Sequence, residues 1–399
     1  MSAPLDGIKI VDMSSVIMGP YATQILADLG ADVIKVEALS GDTMRAVGPM
    51  VNPGMGCLFL HANRNKKSVA INLKAPEGLE AMKALVAEAD IVISNIRSQA
   101  MARLGLSYQD VKAVKDDIIY IEAYGFGAQG TYNGKPAYDD MIQGLAGLPA
   151  LSLLAGSDQP KYTPTLIADR IVGLHIVNNA LAAVLHRNRT GQGQQIEVPM
   201  FETLAHMILG DHMGGATFMP QTEPMGYMRL LSEHRQPYPT ADGYICAVVY
   251  TDAHWKSFLT LTNDQHLLEE DDRFSSLRKR SEHIGELYAL VAKRLKERTT
   301  AQWLELLAQA DIPAMPMHTL ESLVQDEHLQ SVQFFYEEEH PTEGRLRQIR
   351  YPANWSTAKL EQNTPAPRLG EHTVSTLESA GFSSQHIEQL LAKNVIFQS

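Results

Sequence analysis

Cysteine is scarce in this 399-residue chain. Cys57 and Cys246 are the only two, far apart and outside any C-x-x-C spacing. That fits a reducing compartment, with both thiols as small core residues by default. Long apolar runs are missing as well. No window reaches ~18 apolar residues, and Met1-Ser-Ala-Pro-Leu-Asp-Gly7 has no basic stretch leading into an apolar one. Neither a membrane span nor a secretory leader is expected, and the cytoplasm is the expected location. Positive charge is in deficit: 34 Lys and Arg stand against 46 Asp and Glu, for a net charge of −12. This argues against nucleic acid or an anionic membrane as partner. Several catalytic signatures are also absent. There is no H-E-x-x-H or calcium loop, His206 and His212 are not at i, i+4 spacing, and no G-x-S-x-G elbow occurs. No metal and no tightly bound cofactor are expected.

What is present is an ordinary globular composition, 45% hydrophobic and 20% charged, in a chain long enough for two domains. The first 200 or so residues alternate strand and helix patterns. Strands are expected at Ile8–Met13, Val33–Glu37, Ile91–Ser94 and Ile118–Glu122, with helices at Tyr21–Leu29 and Glu77–Ala89. Repeated βαβ units imply a parallel sheet with helices on both faces, and ligands in such sheets sit beyond the carboxyl ends of the strands. Ser14–Gly19, Ser94–Arg97 and Gly125–Gly130 all fall at such ends. Ile196–Met200 and a helix to about Leu209 follow. The Gly-, Pro- and Met-containing stretch 214–239 reads as a linker between a large segment 1–213 and a smaller unit 240–325, with 326–399 as a return segment. The smaller unit carries a strand at Tyr244–Val249 and helices at His254–Leu261, Ile284–Lys296 and Ala301–Ala310. In the return segment a strand is expected at Leu346–Tyr351 and a helix at Ser384–Lys393.

One acidic residue stands out. Asp169 opens the apolar, small-residue helix expected over Ile171–Leu185, where Gly173, Ala180, Ala182 and Ala183 permit close packing. An ionised carboxylate entering a packed interior is costly unless it is used or compensated. A helix N-terminus compensates it, so a capping role is one reading and a functional carboxylate the other. Two further features carry similar alternatives. Asn63-Arg-Asn-Lys-Lys67, with Lys74, Arg45, Arg97 and Arg103 elsewhere in the same domain, is either a solvated basic face or a phosphate cradle. Gly125, Gly127 and Gly130 permit close backbone approach to a ligand, but no G-x-G-x-x-G opens the first helix, which weakens a nicotinamide-dependent reading.

Ordered blocks along nearly the whole chain resemble one family. They are Pro4-Leu-Asp-Gly-Ile-Lys-Ile-Val-Asp12, Gly19-Pro20, Leu29-Gly-Ala-Asp-Val-Ile-Lys-Val-Glu37, Gly41-Asp42 with Arg45, and Asn63-Arg-Asn-Lys-Lys-Ser68. Further along come Lys74-Ala-Pro-Glu-Gly78, Gly125-Phe-Gly127, Pro136-Ala-Tyr-Asp139 with Gln143, Gly191-Gln-Gly-Gln194 and Arg368-Leu-Gly-Glu-His372. The chain resembles the class III CoA-transferases, which include formyl-CoA and carnitine CoA-transferases, and the related α-methylacyl-CoA racemases. The resemblance implies an α/β protein. A Rossmann-like parallel-sheet large domain is built from both ends of the chain, a small α+β middle domain is added, and two subunits interlock as a homodimer. It implies an acyl-CoA donor and a carboxylic-acid acceptor as partners, with the CoA thioester as substrate.

By that resemblance Asp169 is the nucleophile, passing through a mixed anhydride and an aspartyl-CoA thioester. An ordinary aspartate is ionised at neutral pH and needs no general base. Water is to be excluded, and backbone N–H groups of Gly125–Gly130 are expected to face the oxyanions. CoA contacts are implied at Ile17, Met18, Ile71, Lys74, Asn95, Ile96 and Arg103. The family's arginine after the second strand is replaced by Ala38, and Arg45 or another residue is expected to take over that phosphate contact. Arg229-Leu-Leu-Ser-Glu-His-Arg-Gln-Pro237 stands where formyl-CoA transferase has its glycine-rich lid. His234 and Arg235 are therefore candidates for the acceptor carboxylate, or simply exposed loop residues. The racemases place a His before the Asp of the Pro136–Asp140 segment. Here Tyr138 precedes Asp139, and a phenol is a poor base at neutral pH, which favours a transferase over a racemase. A non-catalytic acyl-CoA-binding protein is the third reading.

Overall fold

The computed structural model describes residues 3–360 and 364–399; Met1, Ser2 and positions 361–363 of the expected return segment lie outside the described residues. Two compact units are formed. The first comprises Met1–Ala146, Thr163–His206 and Gln330–Ser399, and the second Gly147–Tyr162 and Met207–Leu329. The second unit is thus larger than 240–325. It takes in the whole stretch read as a linker, and also a short insertion that carries the helix Leu148–Leu154.

The first unit is organised on strands β1 (Lys9–Asp12), β2 (Asp32–Glu37), β3 (Lys66–Ile71), β4 (Ile91–Ser94), β5 (Ile119–Tyr124) and β6 (Gln194–Pro199). They pair in parallel in the order β3-β2-β1-β4-β5-β6, and Ile396–Phe397 adds an antiparallel edge to β3. The order reverses at β1, whose neighbours are β2 on one side and β4 on the other. Chains leaving β1 and β4 therefore diverge, opening a crevice at their carboxyl ends.

Side chains alternate across a strand, and here the two faces differ in kind. Val11, Met13, Val36, Val69, Ile71, Val92 and Tyr120 build an apolar core with Met82, Leu85 and Val86 of the helix Pro76–Glu88 and with Leu377, Ile387 and Leu390 near the C-terminus. The opposite face carries charge. Asp12 lies beside Lys35 and Lys35 beside Ser68 in the strand register, with Glu37 and Lys66 on the same side, all buried. The first helix, Met18–Asp28, closes over this row: Thr23 donates to Asp12 at 2.6 Å, and Lys66 donates to Pro20 O at 2.9 Å.

Every member of the row is paired. Asp12 accepts from Ser14, Thr23 and Lys66. Lys35 donates to Ser14 O and to Asp42, at 2.8 and 2.9 Å. Burial pushes the Asp12 carboxyl up, but Lys66, Lys35 and the two hydroxyls outweigh it and hold the group below its usual range. The basic cluster read from Asn63–Lys67 is spent the same way. Arg64 is buried against Asp28, Lys66 against Asp12, and Lys67 meets Asp32 at the surface. A phosphate cradle there is corrected to a set of internal ion pairs.

The longest helix, Ile167–Thr190, packs against the first helix and against β5 and β6. Gly173 makes this possible, since a Cβ there would lie 2.9 Å from both Met18 O and the Tyr21 ring. Among the described residues this helix alone is long and apolar enough to cross a membrane by length and composition, and half of its most apolar window is buried inside the protein. In the second unit, Tyr238–Pro239, Tyr244–Ala247 and Ala314–Pro316 form a small antiparallel sheet. It packs with helices Asp252–Leu261, Ile284–Leu295 and Thr300–Gln309 around Trp255, Phe258, Leu287 and Trp303.

The two kinds of ion pair differ in energetic weight. Asp12→Ala leaves the buried Lys66 ammonium without its carboxylate partner and is expected to destabilise the first unit by about 3–5 kcal/mol. Lys67→Ala, at a half-exposed pair, is expected to cost less than about 1 kcal/mol. Denaturant titration followed by circular dichroism compares the two.

Candidate active site

The crevice at the carboxyl ends of β1, β4 and β5 is a cavity of about 490 Å³. Its walls come from four turns: Ser15, Val16 and Met18 after β1, Asn95–Ala100 after β4, Tyr124–Phe126 with Ala128 after β5, and Asn133–Asp139. Asp169 and Met200 complete it.

The β1 turn is held under strain. Val16 has φ of 70°, a left-handed conformation that a β-branched residue rarely adopts. Three bonds impose it. Val16 N–H donates to Asp42 at 3.2 Å, Ser15 N–H donates to Asn95 Oδ1 at 3.0 Å, and Asn95 Nδ2 donates to Ser15 O at 2.8 Å. Asp42 is itself fixed by Lys35. The buried row beneath the sheet therefore sets the shape of the cavity rim, and strain of this kind clusters at functional sites.

Asp169 is the third residue of its helix and only 8% exposed. The N-cap position is Leu166, which supplies no side-chain cap. The capping role weighed for Asp169 goes instead to Asp139, whose Oδ1 accepts the Asp169 N–H at 2.9 Å. Asp139 is positioned by Gln143, one turn along the helix Asp139–Leu145, which donates to its Oδ2 at 2.6 Å and accepts the Thr163 N–H at 2.9 Å. With its backbone capped by another carboxylate, the Asp169 side chain is left without a hydrogen bond or ion pair among the described residues. Burial first, and the Asp139 charge second, push its carboxyl up to about 7, with Arg170 opposing. The expectation of an ordinary, fully ionised aspartate is corrected accordingly.

The other expected site residues divide. Met18, Asn95, Ile96, Gly125, Tyr138 and Asp139 line the same cavity as Asp169. Tyr138 stands largely exposed and Asp139 buried. Asn95 faces the cavity with its amide engaged by Ser15. Ile17 is fully buried beside the rim and Ile71 is in the apolar core. Lys74 and Arg103 are exposed and outside the cavity lining. Arg45 is corrected from a phosphate contact to a buried structural cation. It is bidentate on Glu37, at 2.7 and 2.8 Å, and lies over the Phe59 ring.

The glycine-loop donors are also corrected in part. Gly127 N–H is taken by Glu202 at 2.9 Å and Ala128 N–H by Glu197 at 3.3 Å. His234 and Arg235 belong to the second unit, with His234 beside Glu233 at 3.5 Å and Arg235 exposed. Val16 and Phe126, which the sequence placed only within strand-end turns, also line the cavity, and sequence reasoning missed Tyr124 and Lys135. The position of Tyr124 at the end of β5 was an available signal; Lys135, eleven residues further on, had none.

A mainly parallel sheet that reverses its order at the cavity, with a buried carboxylate at a helix N-terminus that has no side-chain partner among the described residues, defines an α/β protein whose ligand site is expected at the strand ends. The CoA-transferase family III model matches residues 5–373, and the chain belongs to that family. It is 28% identical over 404 residues to (R)-2-hydroxy-4-methylpentanoate CoA-transferase of Clostridioides difficile, covering 98% of this chain and 99% of the relative. It is 30% identical over 387 residues to succinate–glutarate CoA-transferase of Agrobacterium fabrum, covering 94% and 95%. The crystal structure of a CAIB/BAIF family protein from Brucella suis superposes with a TM-score of 0.80 at 29% identity, covering 95% of this chain and 100% of that one. The protein is a CoA-transferase.

The raised carboxyl makes a stability prediction. Between the ordinary carboxyl range and about 7 the native state keeps a proton that the unfolded chain has lost, so stability falls as pH rises through that window. Asp169→Asn removes this penalty. Thermal melts should show the variant more stable than wild type at pH 8, by up to about 4 kcal/mol, with the difference vanishing below about pH 4.

Proposed function

We propose that this enzyme exchanges CoA between an acyl-CoA donor and a carboxylic-acid acceptor through covalent intermediates on Asp169. The observation that carries the reading is the Asp169 carboxyl itself: buried, uncapped and unpaired in the strand-end cavity, while a second carboxylate, Asp139, holds its backbone. A carboxylate oxygen of Asp169 attacks the thioester carbonyl, the C–S bond breaks, and CoA leaves as thiolate from a mixed anhydride. The thiolate then attacks the aspartyl carbonyl and expels the donor acid, leaving an aspartyl-CoA thioester. An acceptor carboxylate attacks that thioester and the same two steps run in reverse. Covalent catalysis of this kind replaces one difficult exchange with easier ones. The helix N-terminus favours the ionised nucleophile, and low hydration raises its reactivity and protects the anhydride from water.

Tyr138 at the cavity supports transfer over racemisation, because a phenol is a poor base for abstracting an α-proton. The two curated relatives described above are named for carboxylic acids, which supports a carboxylate acceptor, and succinyl-CoA with a dicarboxylate is the first pair to assay. We also read the protein as an interlocked homodimer. Leu174 and Leu185 on the Asp169 helix are 46% and 64% exposed, an apolar face suited to burial by a second copy. Light scattering should give twice the chain mass of 44.0 kDa.

Asp169→Ala should remain folded and lose CoA exchange by at least about a thousandfold. Wild type incubated with acyl-CoA should yield hydroxylamine-sensitive CoA on the Asp169 peptide; near-wild-type exchange by the variant would refute the mechanism. Deuterium wash-in at the α-carbon of a 2-methylacyl-CoA, without exchange, would indicate the racemase instead.

The pH profile offers a separate check. The nucleophile must lose its proton, so turnover should climb with pH through about 7 and level off above it. Asp139→Asn keeps an acceptor for the Asp169 N–H but removes the neighbouring charge. Its acid limb should move to lower pH.

A further inference from the structure

We propose that Glu202 is a positioning residue for the reaction, acting through the glycine loop after β5; the inference rests on the reading of Asp169 as nucleophile. The loop is gripped by the first turn of the helix Met200–His212. Phe201 N–H donates to Gly125 O at 3.0 Å, and the Phe126 and Phe201 rings meet edge to face at 6.1 Å. Glu202 Oε1 accepts the Gly127 N–H at 2.9 Å. Two successive helix residues therefore hold the loop, one by its carbonyl and one by its amide.

The loop in turn presses on the segment that carries Asp139. A Cβ at Gly125 would lie 2.3 Å from the Ala137 Cβ, so the Ala137 methyl packs directly on the Gly125 backbone in the space a side chain there would fill. Ala137 precedes Tyr138 and Asp139, and Asp139 accepts the Asp169 N–H. A shift of the loop is thus passed through Ala137 to the carboxylate that sets both the position and the charge environment of Asp169. The links run from Glu202 through the Gly127 and Gly125 backbone and the Ala137 methyl to Asp139, and short, close-packed contacts of this kind have few ways to absorb displacement. Misplacement of a reacting group by ~1 Å is enough to slow a reaction about a hundredfold. Glu202 is itself exposed, so its substitution leaves no hole in the core.

The test compares three variants of the full-length enzyme by steady-state CoA exchange and by hydrogen–deuterium exchange of the peptide spanning residues 124–136. Glu202→Ala should lower kcat by about 10- to 100-fold with the KM for acyl-CoA within about threefold, and should speed deuterium uptake in that peptide. Glu202→Gln keeps an acceptor oxygen and should stay within about threefold of wild type, with wild-type protection. Gly127→Ala gives an independent route, because its Cβ would lie 2.8 Å from Glu202 Oε1 and push the carboxylate away; it should reproduce the Glu202→Ala defect.

Wild-type kcat in Glu202→Ala, an equal defect in Glu202→Gln, or a change confined to KM would each overturn the proposal. The nucleophile reading fails separately, on exchange by Asp169→Ala. The deuterium uptake of the Glu202 variants still decides whether the clamp exists.

Discussion

The structure depends on a row of charge buried under a parallel sheet. Strands covered on both faces normally read as continuous apolar runs. Here β1, β2 and β3 instead place Asp12, Lys35, Glu37 and Lys66 on one face, out of water. Such a row is tolerable only if every group is paired, because an isolated buried ion is far costlier than the pair. The pairing partners are not confined to the strands. Asp42, Ser14, Thr23 and Arg45 all lie in the segments that leave the strand ends. Satisfying the row therefore fixes those segments, and with them the cavity rim. The left-handed Val16 is the visible result, since an unfavourable backbone conformation persists only where its surroundings over-determine it.

The second constraint is local to Asp169. A helix N-terminus offers stabilisation to any nearby carboxylate, and a carboxylate that accepts it in full loses nucleophilic character. The structure separates the two roles. Asp139 takes the backbone donor, and Asp169 keeps its oxygens unbonded in the cavity at the expense of a raised proton affinity. On the proposed reading of Asp169 as nucleophile, this is a trade of stability for activity carried by one side chain.

Much of the fold was legible. Four of the six parallel strands, the helix Pro76–Glu88 and the three strand-end turns of the cavity could be placed from alternating β-branched runs and glycine punctuation. β3 was not, because Lys66, Lys67 and Ser68 look like a solvated basic face when their partners are unknown. The same ambiguity made Arg45 look like a phosphate ligand. A cation reads identically whether it faces water, a ligand or a buried glutamate, and only the turn after β2, which folds Arg45 back onto Glu37, decides. The short helix Asp139–Leu145 escaped notice for a different reason: in so short an element propensity is weak and packing dominates.

Composition, strand-end spacing and the ordered blocks by themselves determined the α/β class, the carboxyl-end location of the cavity and the family, and singled out Asp169, which lines that cavity. These are properties of local pattern, set by residues close in sequence. Tertiary structure alone decided which charges are ion pairs and which are free, that Asp139 rather than Asp169 caps the helix, and that Glu202 holds Gly127. The last two rest on contacts between residues 30 and 75 positions apart, and the buried pairs Arg64–Asp28 and Lys66–Asp12 on separations of 36 and 54. A proton affinity or a hydrogen bond depends on what burial and neighbours the fold supplies, and those do not exist until the strands are in register.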